Sequence, residues 1–188
     1  MQTLGYTNEN WMGLLAMHNP NVDLRQVIIP GSHSSASSYI SKSKFLAGTV
    51  RYQDQTITSQ LEKGIRFFDI RCGSYGKKDH KFCIASHAFS GPTILEVFQE
   101  IISFCQKNKN EFLIIGLVNE PNRGLNSGQK VRLFEILNKA LGPYMVKGRD
   151  ADYPEFKSSF AKISKVSFSR KQILMVIDPS FYGFMKEG

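Results

Sequence analysis

Two histidines, an arginine and two carboxylates are the residues of this chain whose types and spacing suit chemistry. His33 follows Ile29-Pro30-Gly31-Ser32, His87 ends the run Phe82–Ser86, Asp69 and Arg71 stand two residues apart, and Glu120 closes the apolar run from Phe112. Two imidazoles beside a guanidinium suit cleavage of a phosphodiester. One imidazole removes a proton from an attacking hydroxyl and the other protonates the departing oxygen, while the guanidinium's fixed fork neutralises charge gathering on the phosphoryl oxygens. The scheme asks for no metal and no cofactor. Asp69, on the same face as Arg71, would hold a cation or orient a histidine. Ser34, Arg66 and Glu120 flank the constellation and are candidates for contacting the substrate. Taken singly, a histidine at a strand end is commonly a hydrogen-bonded structural residue, and an Asp two residues from an Arg an ordinary ion pair. The joint pattern carries the catalytic reading. His18 and His80 lack such company and read as surface residues.

These side chains need elements to bring them together. Gly64-Ile65-Arg66-Phe67-Phe68-Asp69-Ile70-Arg71 reads as the central β-strand, with Ile65, Phe67, Asp69 and Arg71 on one face and Arg66, Phe68, Ile70 and Cys72 on the other. Apolar residues on both faces predict a strand covered on both sides, as in a parallel sheet. Leu24 to Ile29, Phe82 to Ser86, Phe112 to Val118 and Ile173 to Ile177 read as further strands, each delivering polar groups at its carboxyl end. Between them, Trp11 to Ala16 predicts a short helix acting as lid or plug, and Thr56 to Leu61 another helix. Thr93 opens an amphipathic helix with capping-box spacing, and a helix capped at Ser127 stops at Gly142-Pro143. Residues 35 to 50 form a long loop without period. Strands alternating with helices predict a parallel α/β fold, and a (β/α) barrel collects its site in this manner. About five strands are legible where closure needs about eight.

The chain of 188 residues has an ordinary globular composition and a formal net charge of +8, with a pI near 9.4. One domain is the default at this length. The positive excess, with lysines at Lys42, Lys44, Lys77 and Lys78 among others, attracts an anionic partner, a nucleic acid or an acidic lipid surface. Cys72, Cys83 and Cys105 show no metal-ligand spacing and read as buried thiols. The amino-terminal 17 residues carry Asn8, Glu9 and Asn10 and no long apolar run. They read as neither a signal peptide nor a span, so a cytoplasmic location with peripheral membrane association is the expectation, a secreted chain that has lost its leader being the alternative.

The residues also carry a resemblance. Ile29-Pro30-Gly31-Ser32-His33-Ser34-Ser35, then Gln60-Leu61 followed by Gly64 through Arg71, then His87 and Glu111-Phe112-Leu113-Ile114-Ile115, closely resemble the X domain of phosphatidylinositol-specific phospholipase C. Asn10-Trp11-Met12 looks like the lead-in of its single-domain members. The resemblance implies a TIM-like barrel, incomplete at the carboxyl-terminal end because it stops near the fifth strand, with residues 1–188 as one catalytic X-type domain. It implies that His33 deprotonates the inositol 2-hydroxyl, that His87 protonates the departing diacylglycerol oxygen, and that a cyclic inositol phosphate forms. Arg71 sits where bacterial members place an arginine and the larger eukaryotic enzymes a calcium ligand, which implies metal independence. Ser34 stands where the bacterial-type enzymes usually have Asp and the calcium enzymes Asn. The implied partner is a phosphatidylinositol-containing membrane, bound peripherally, and unpaired sheet edges invite self-association or a completing chain. Competing readings are a non-catalytic headgroup-binding module and a ribonuclease-like phosphodiesterase. No aromatic RNA-stacking platform supports the last, so nucleic acid is not expected.

Overall fold

A computed structural model describes residues 7–41, 47–76, 81–146, 162–163, 167, 170–179 and 181. Lys42, Lys44, Lys77, Lys78 and His80 lie outside these described residues. The organising strand is β2 (Phe67–Ser74). Along one edge it pairs in parallel with β5 (Leu113–Asn119), from Phe67 opposite Ile114 to Cys72 opposite Asn119. Two strands share its other edge. β1 (Gly31–Ser32) pairs in parallel at Phe67 and Phe68, while β3 (Phe82–Ser86) pairs antiparallel at Cys72, Gly73 and Ser74. β4 (Phe89–Thr93) continues from β3 and β6 (Ile173–Ile177) from β5, giving the order β4-β3-β2-β5-β6, with the sheet open between its ends among the described residues.

One face of this sheet is a core. Phe68, Ile70 and Cys72 of β2 and Leu113, Ile115 and Leu117 of β5 pack against α2 (Ile57–Glu62), α3 (Ile94–Lys107) and α4 (Ser127–Leu141). The helices start where their caps dictate. Thr56 caps α2, and Thr93 with Glu96 forms a capping box at α3. At α4 the cap is Asn126, one residue before the expected Ser127, with Gln129 returning the bond.

The other face is not covered as expected. Phe67 remains 38% exposed, and Asp69 and Arg71 line a cavity, so the alternation that filled the core on one side left this side for a site. α1 (Trp11–His18) is a plug, not a lid. Met12 and Ala16 join Leu24, Phe112, Val146 and Ile163 in a second cluster against Ile114 and Leu174, at the amino-terminal ends of β5 and β6. Trp11 Nε1 donates to the Gly64 carbonyl at 3.0 Å and the Gly13 N–H to Glu111 at 2.8 Å, which closes the end of the sheet away from the histidines.

Three strand expectations change. Leu24 to Ile29 is not a strand, because Asp23 accepts from the Arg25 N–H and closes a 3-10 turn over Leu24–Gln26; apart from an isolated bridge between Asp23 and Lys162, pairing begins at Gly31. The central strand starts and ends three residues later than its composition suggested. Gly64, with φ +97, makes the turn out of α2, while Gly73 lets β2 run on, since a Cβ there would stand 2.6 Å from that of Arg123. Finally, the sheet is not wholly parallel as expected: β3 runs antiparallel to β2 and turns into the unforeseen, also antiparallel, β4. Phe-Ser-Gly-Pro-Thr has no alternating pattern, and its proline is tolerated because β4 is an edge strand.

Candidate active site

The shared edge of β2 builds the site. β1 follows that edge upward and leaves it after Phe68, while β3 follows it back from Ser74 and stops pairing at Cys72. Among the described residues the stretch between them has no strand partner on that side, and the loop that carries His33 follows β1 at one end while the one that carries His87 follows β3 at the other. Ser35 fills part of the gap, its N–H donating to the Asp69 carbonyl at 2.8 Å and its Oγ accepting from the Asp69 N–H at 2.9 Å. Each loop contains a left-handed non-glycine residue, Ser34 at φ 47 and His87 at φ 51. His87 takes this conformation because a two-residue hairpin joins Ser86 to Phe89. Such backbone conformations gather at functional sites.

Asp69 is the hub. Its Oδ2 lies 2.9 Å from His33 Nδ1, accepts from the Ser34 N–H at 3.0 Å and stands 3.4 Å from Arg71 Nε. The His33 contact fixes a proton on Nδ1 and leaves Nε2 as the basic nitrogen. Arg71 reaches in the other direction to the buried Glu120, with Nη1 and Oε2 3.6 Å apart. The guanidinium is thus held between two carboxylates at the wall of a cavity of about 530 Å³, lined by His33, Phe67, Asp69, Arg71, Val118 and Asp178 among others. That volume lies in the range of small-molecule sites. His87 stands outside this wall, beyond the ring of Tyr52. The Tyr52 ring meets His33 edge-on at 5.2 Å between centroids and lies 6.4 Å from His87, the two planes inclined by 28°. Among the described residues no cluster of three or more His, Cys, Asp or Glu is placed to hold a metal ion.

His33, Asp69, Arg71 and Glu120 are therefore brought together, with His87 close by. Asp69 sits in the middle of β2 and not at its carboxyl end. Two expected substrate contacts change character. Ser34 is only 2% exposed, and its contribution here is the N–H that it gives Asp69. Arg66 belongs to the opposite face and is 0% exposed. Its Nε donates to Glu111 Oε2 at 2.8 Å, with Nη2 2.7 Å from the same oxygen, while Nη1 donates to the carbonyls of Leu61 and Ile65 and Nη2 to those of Asn8 and Glu9. Burial pulls its pKa below the ordinary arginine value, and Glu111 opposes that. Arg66 anchors the plug and does not meet the cavity. Sequence reasoning missed Tyr52, which lies in an aperiodic loop where nothing in the local pattern marks it.

A family model, phosphatidylinositol-specific phospholipase C, X domain, matches residues 29–176. The chain belongs to that family. The matched span holds His33, Asp69, Arg71, His87 and Glu120. PI-PLC X domain-containing protein 1 of Danio rerio is 27% identical over 166 residues, which cover 73% of this chain and 53% of that protein. The 1-phosphatidylinositol phosphodiesterase of Listeria monocytogenes is 30% identical over 134 residues, 70% of this chain and 39% of that protein. The chain thus spans about half or less of the length of these relatives. In three dimensions it matches phosphatidylinositol-specific phospholipase C from Listeria monocytogenes with a TM-score of 0.69 and 22% identity, covering 92% of this chain and 57% of that one. It also matches the Staphylococcus aureus phosphatidylinositol-specific phospholipase C, whose membrane binding has been modulated, with a TM-score of 0.68, 17% identity and coverage of 91% of this chain and 53% of that one. Among the described residues the X-domain fold here is an α/β barrel left open between β4 and β6.

Proposed function

We propose that this X domain cleaves the phosphodiester of phosphatidylinositol, or of a related inositol lipid, to diacylglycerol and a cyclic inositol phosphate. His33 Nε2 takes the proton of the ring hydroxyl beside the phosphate, and that oxygen bonds to phosphorus. The bond from phosphorus to the glycerol oxygen breaks, and His87 gives that oxygen a proton. Asp69 holds the His33 tautomer and stabilises the imidazolium that forms. Arg71 places a permanent positive charge where the phosphoryl oxygens gather negative charge, so the scheme runs without a metal. The observation that supports this reading is the shared Asp69 carboxylate, which stands 2.9 Å from His33 and 3.4 Å from Arg71 at the cavity wall, with the Tyr52 ring 5.2 Å from His33 and 6.4 Å from His87.

The basic excess of +8 favours peripheral docking on an anionic lipid surface; no described helix is long and apolar enough to cross a membrane. Beside β6 runs an apolar groove of about 480 Å³ walled by Val131, Phe134, Met145, Met175 and Ile177. Apart from the Met145 bridge at Ile173, the outer edge of β6 has no strand partner among the described residues, and we assign that edge to self-association or a completing chain. The alternative reading, a headgroup-binding module without turnover, drew on Ser34 in place of a carboxylate. Asp69 supplies the carboxylate to His33 directly, which favours catalysis.

The test is release of a water-soluble cyclic inositol phosphate from phosphatidylinositol vesicles. Wild type is expected to release it, and His33→Ala and His87→Ala to abolish release while binding the vesicles. Vesicle binding by the wild type with no release would establish the binding module.

A further inference from the structure

Tyr52 has no part in the acid and base steps above, yet its ring pairs with both histidines, at 5.2 and 6.4 Å between centroids. The ring is fixed to the loop that carries His33. The N–H groups of Tyr52 and Gln53 both donate to Ser37 Oγ at 3.0 Å, and Gln53 Nε2 donates to the His33 carbonyl at 2.9 Å. Ser37 opens a 3-10 turn whose Tyr39 hydroxyl is in turn bonded to Glu100 of α3 and accepts from the Ile57 N–H of α2. Tyr52 is therefore anchored through that turn to the helical layer.

The two histidines are held unequally. His33 has Asp69 at 2.9 Å. His87 is exposed on a two-residue hairpin and makes no side-chain hydrogen bond or ion pair among the described residues; what it has is the Tyr52 ring, 28° from parallel and 6.4 Å away. Offset aromatic pairs at such separations attract, and an aromatic face attracts an imidazolium more strongly than a neutral ring. An acid on a hairpin tip that points in several directions protonates the leaving oxygen in few of them.

We propose that Tyr52 is a positioning residue for the acid, an aromatic bridge that sets the His87 imidazole at a fixed place relative to His33. The kinetic consequence rests on the phosphodiesterase reading above; the geometric one does not. The role belongs to the ring and not to the hydroxyl, because both contacts are ring contacts.

The experiment compares Tyr52→Leu and Tyr52→Phe on two substrates, phosphatidylinositol and a soluble inositol phosphodiester with a nitrophenolate leaving group that needs little protonation. Tyr52 is half-exposed, so neither substitution threatens the core. On phosphatidylinositol, Tyr52→Leu is expected to lower kcat roughly 2- to 10-fold, the worth of one aromatic pair, with KM held within about twofold. On the nitrophenyl substrate the loss should be less than half as large, and Tyr52→Phe should restore turnover on both. Equal losses on the two substrates, a change confined to KM, or a Phe variant as poor as the Leu variant would each overturn the proposal. If the wild type turns over neither substrate, the phosphodiesterase reading fails and the bridge is judged by the imidazole ring-proton resonances. Displacement of the His87 resonance by Tyr52→Leu and its return in Tyr52→Phe support the bridge; an unmoved resonance refutes it.

Discussion

Replacing Asp69 by Asn removes a charge while keeping a shape, and the structure says how much that should matter. Three donors, His33 Nδ1, the Ser34 N–H and Arg71 Nε, converge on one oxygen, Oδ2, at 2.9, 3.0 and 3.4 Å. Asn must place its carbonyl oxygen there, because its NH2 group would face donors. All three hydrogen bonds then persist, that from Arg71 still carrying the guanidinium charge, and the main loss is the negative charge of the acceptor. Unscreened by relaxation, a unit pair at 2.9 Å with an effective dielectric near 20 is worth about 6 kcal/mol. The His33 side chain is 59% exposed, so water screens most of that. The difference between a charge-assisted and a neutral hydrogen bond, about 1–2 kcal/mol, is the better measure. Asp69→Asn is therefore expected to lower kcat about 5- to 30-fold, with the chemical denaturation midpoint nearly unmoved. Asp69→Ala, which strands three donors, should lose more activity and also stability. The assay is initial-rate turnover of phosphatidylinositol alongside urea denaturation of each variant. An Asn variant that keeps more than half of wild-type kcat would show that the carboxylate does not support His33.

Three further outcomes follow from the same geometry. Arg71→Lys keeps the charge but loses the fork held between Asp69 and Glu120, so turnover should fall on the order of 100-fold, and excess chelator should leave wild-type turnover unaltered; chelator-sensitive turnover restored by calcium would refute the role given to Arg71. Arg66→Ala strands the buried Glu111 carboxylate and frees the plug, and should destabilise the fold by about 3–5 kcal/mol in urea titration, whereas Arg66→Met, which fills the space, loses the same charge partner but less packing. Burial pushes the Cys105 thiol up to about 12 and raises that of Cys72 still further. Only the thiolate reacts, so at pH 8 both should resist alkylation in the folded protein and react once urea unfolds it; mass spectrometry of the alkylated peptides reads this directly.

The alternation of side chains along β2 was enough to pair Asp69 with Arg71 on one face, since a period of two is a local property of any strand. The same alternation put Arg66 on the opposite face, but its partner Glu111 lies far along the chain, and no local pattern announces a buried ion pair. Capping at Thr93 and the stripe from Ile94 to Cys105 were equally legible, because a helix satisfies its hydrogen bonds within its own sequence. Strand direction was not. Phe82–Ser86 is equally apolar whether it runs with β2 or against it, and only the hydrogen bonds to Cys72, Gly73 and Ser74 decide. That direction brings His87 to the Tyr52 ring that also meets His33, and it leaves the edge of β2 without a strand partner between Phe68 and Cys72 among the described residues. Tyr52 enters the site for the same reason. Its place is set by Ser37 and by two histidines from distant segments, and contacts between segments far apart in sequence are written in the packing and not in the local order of residues.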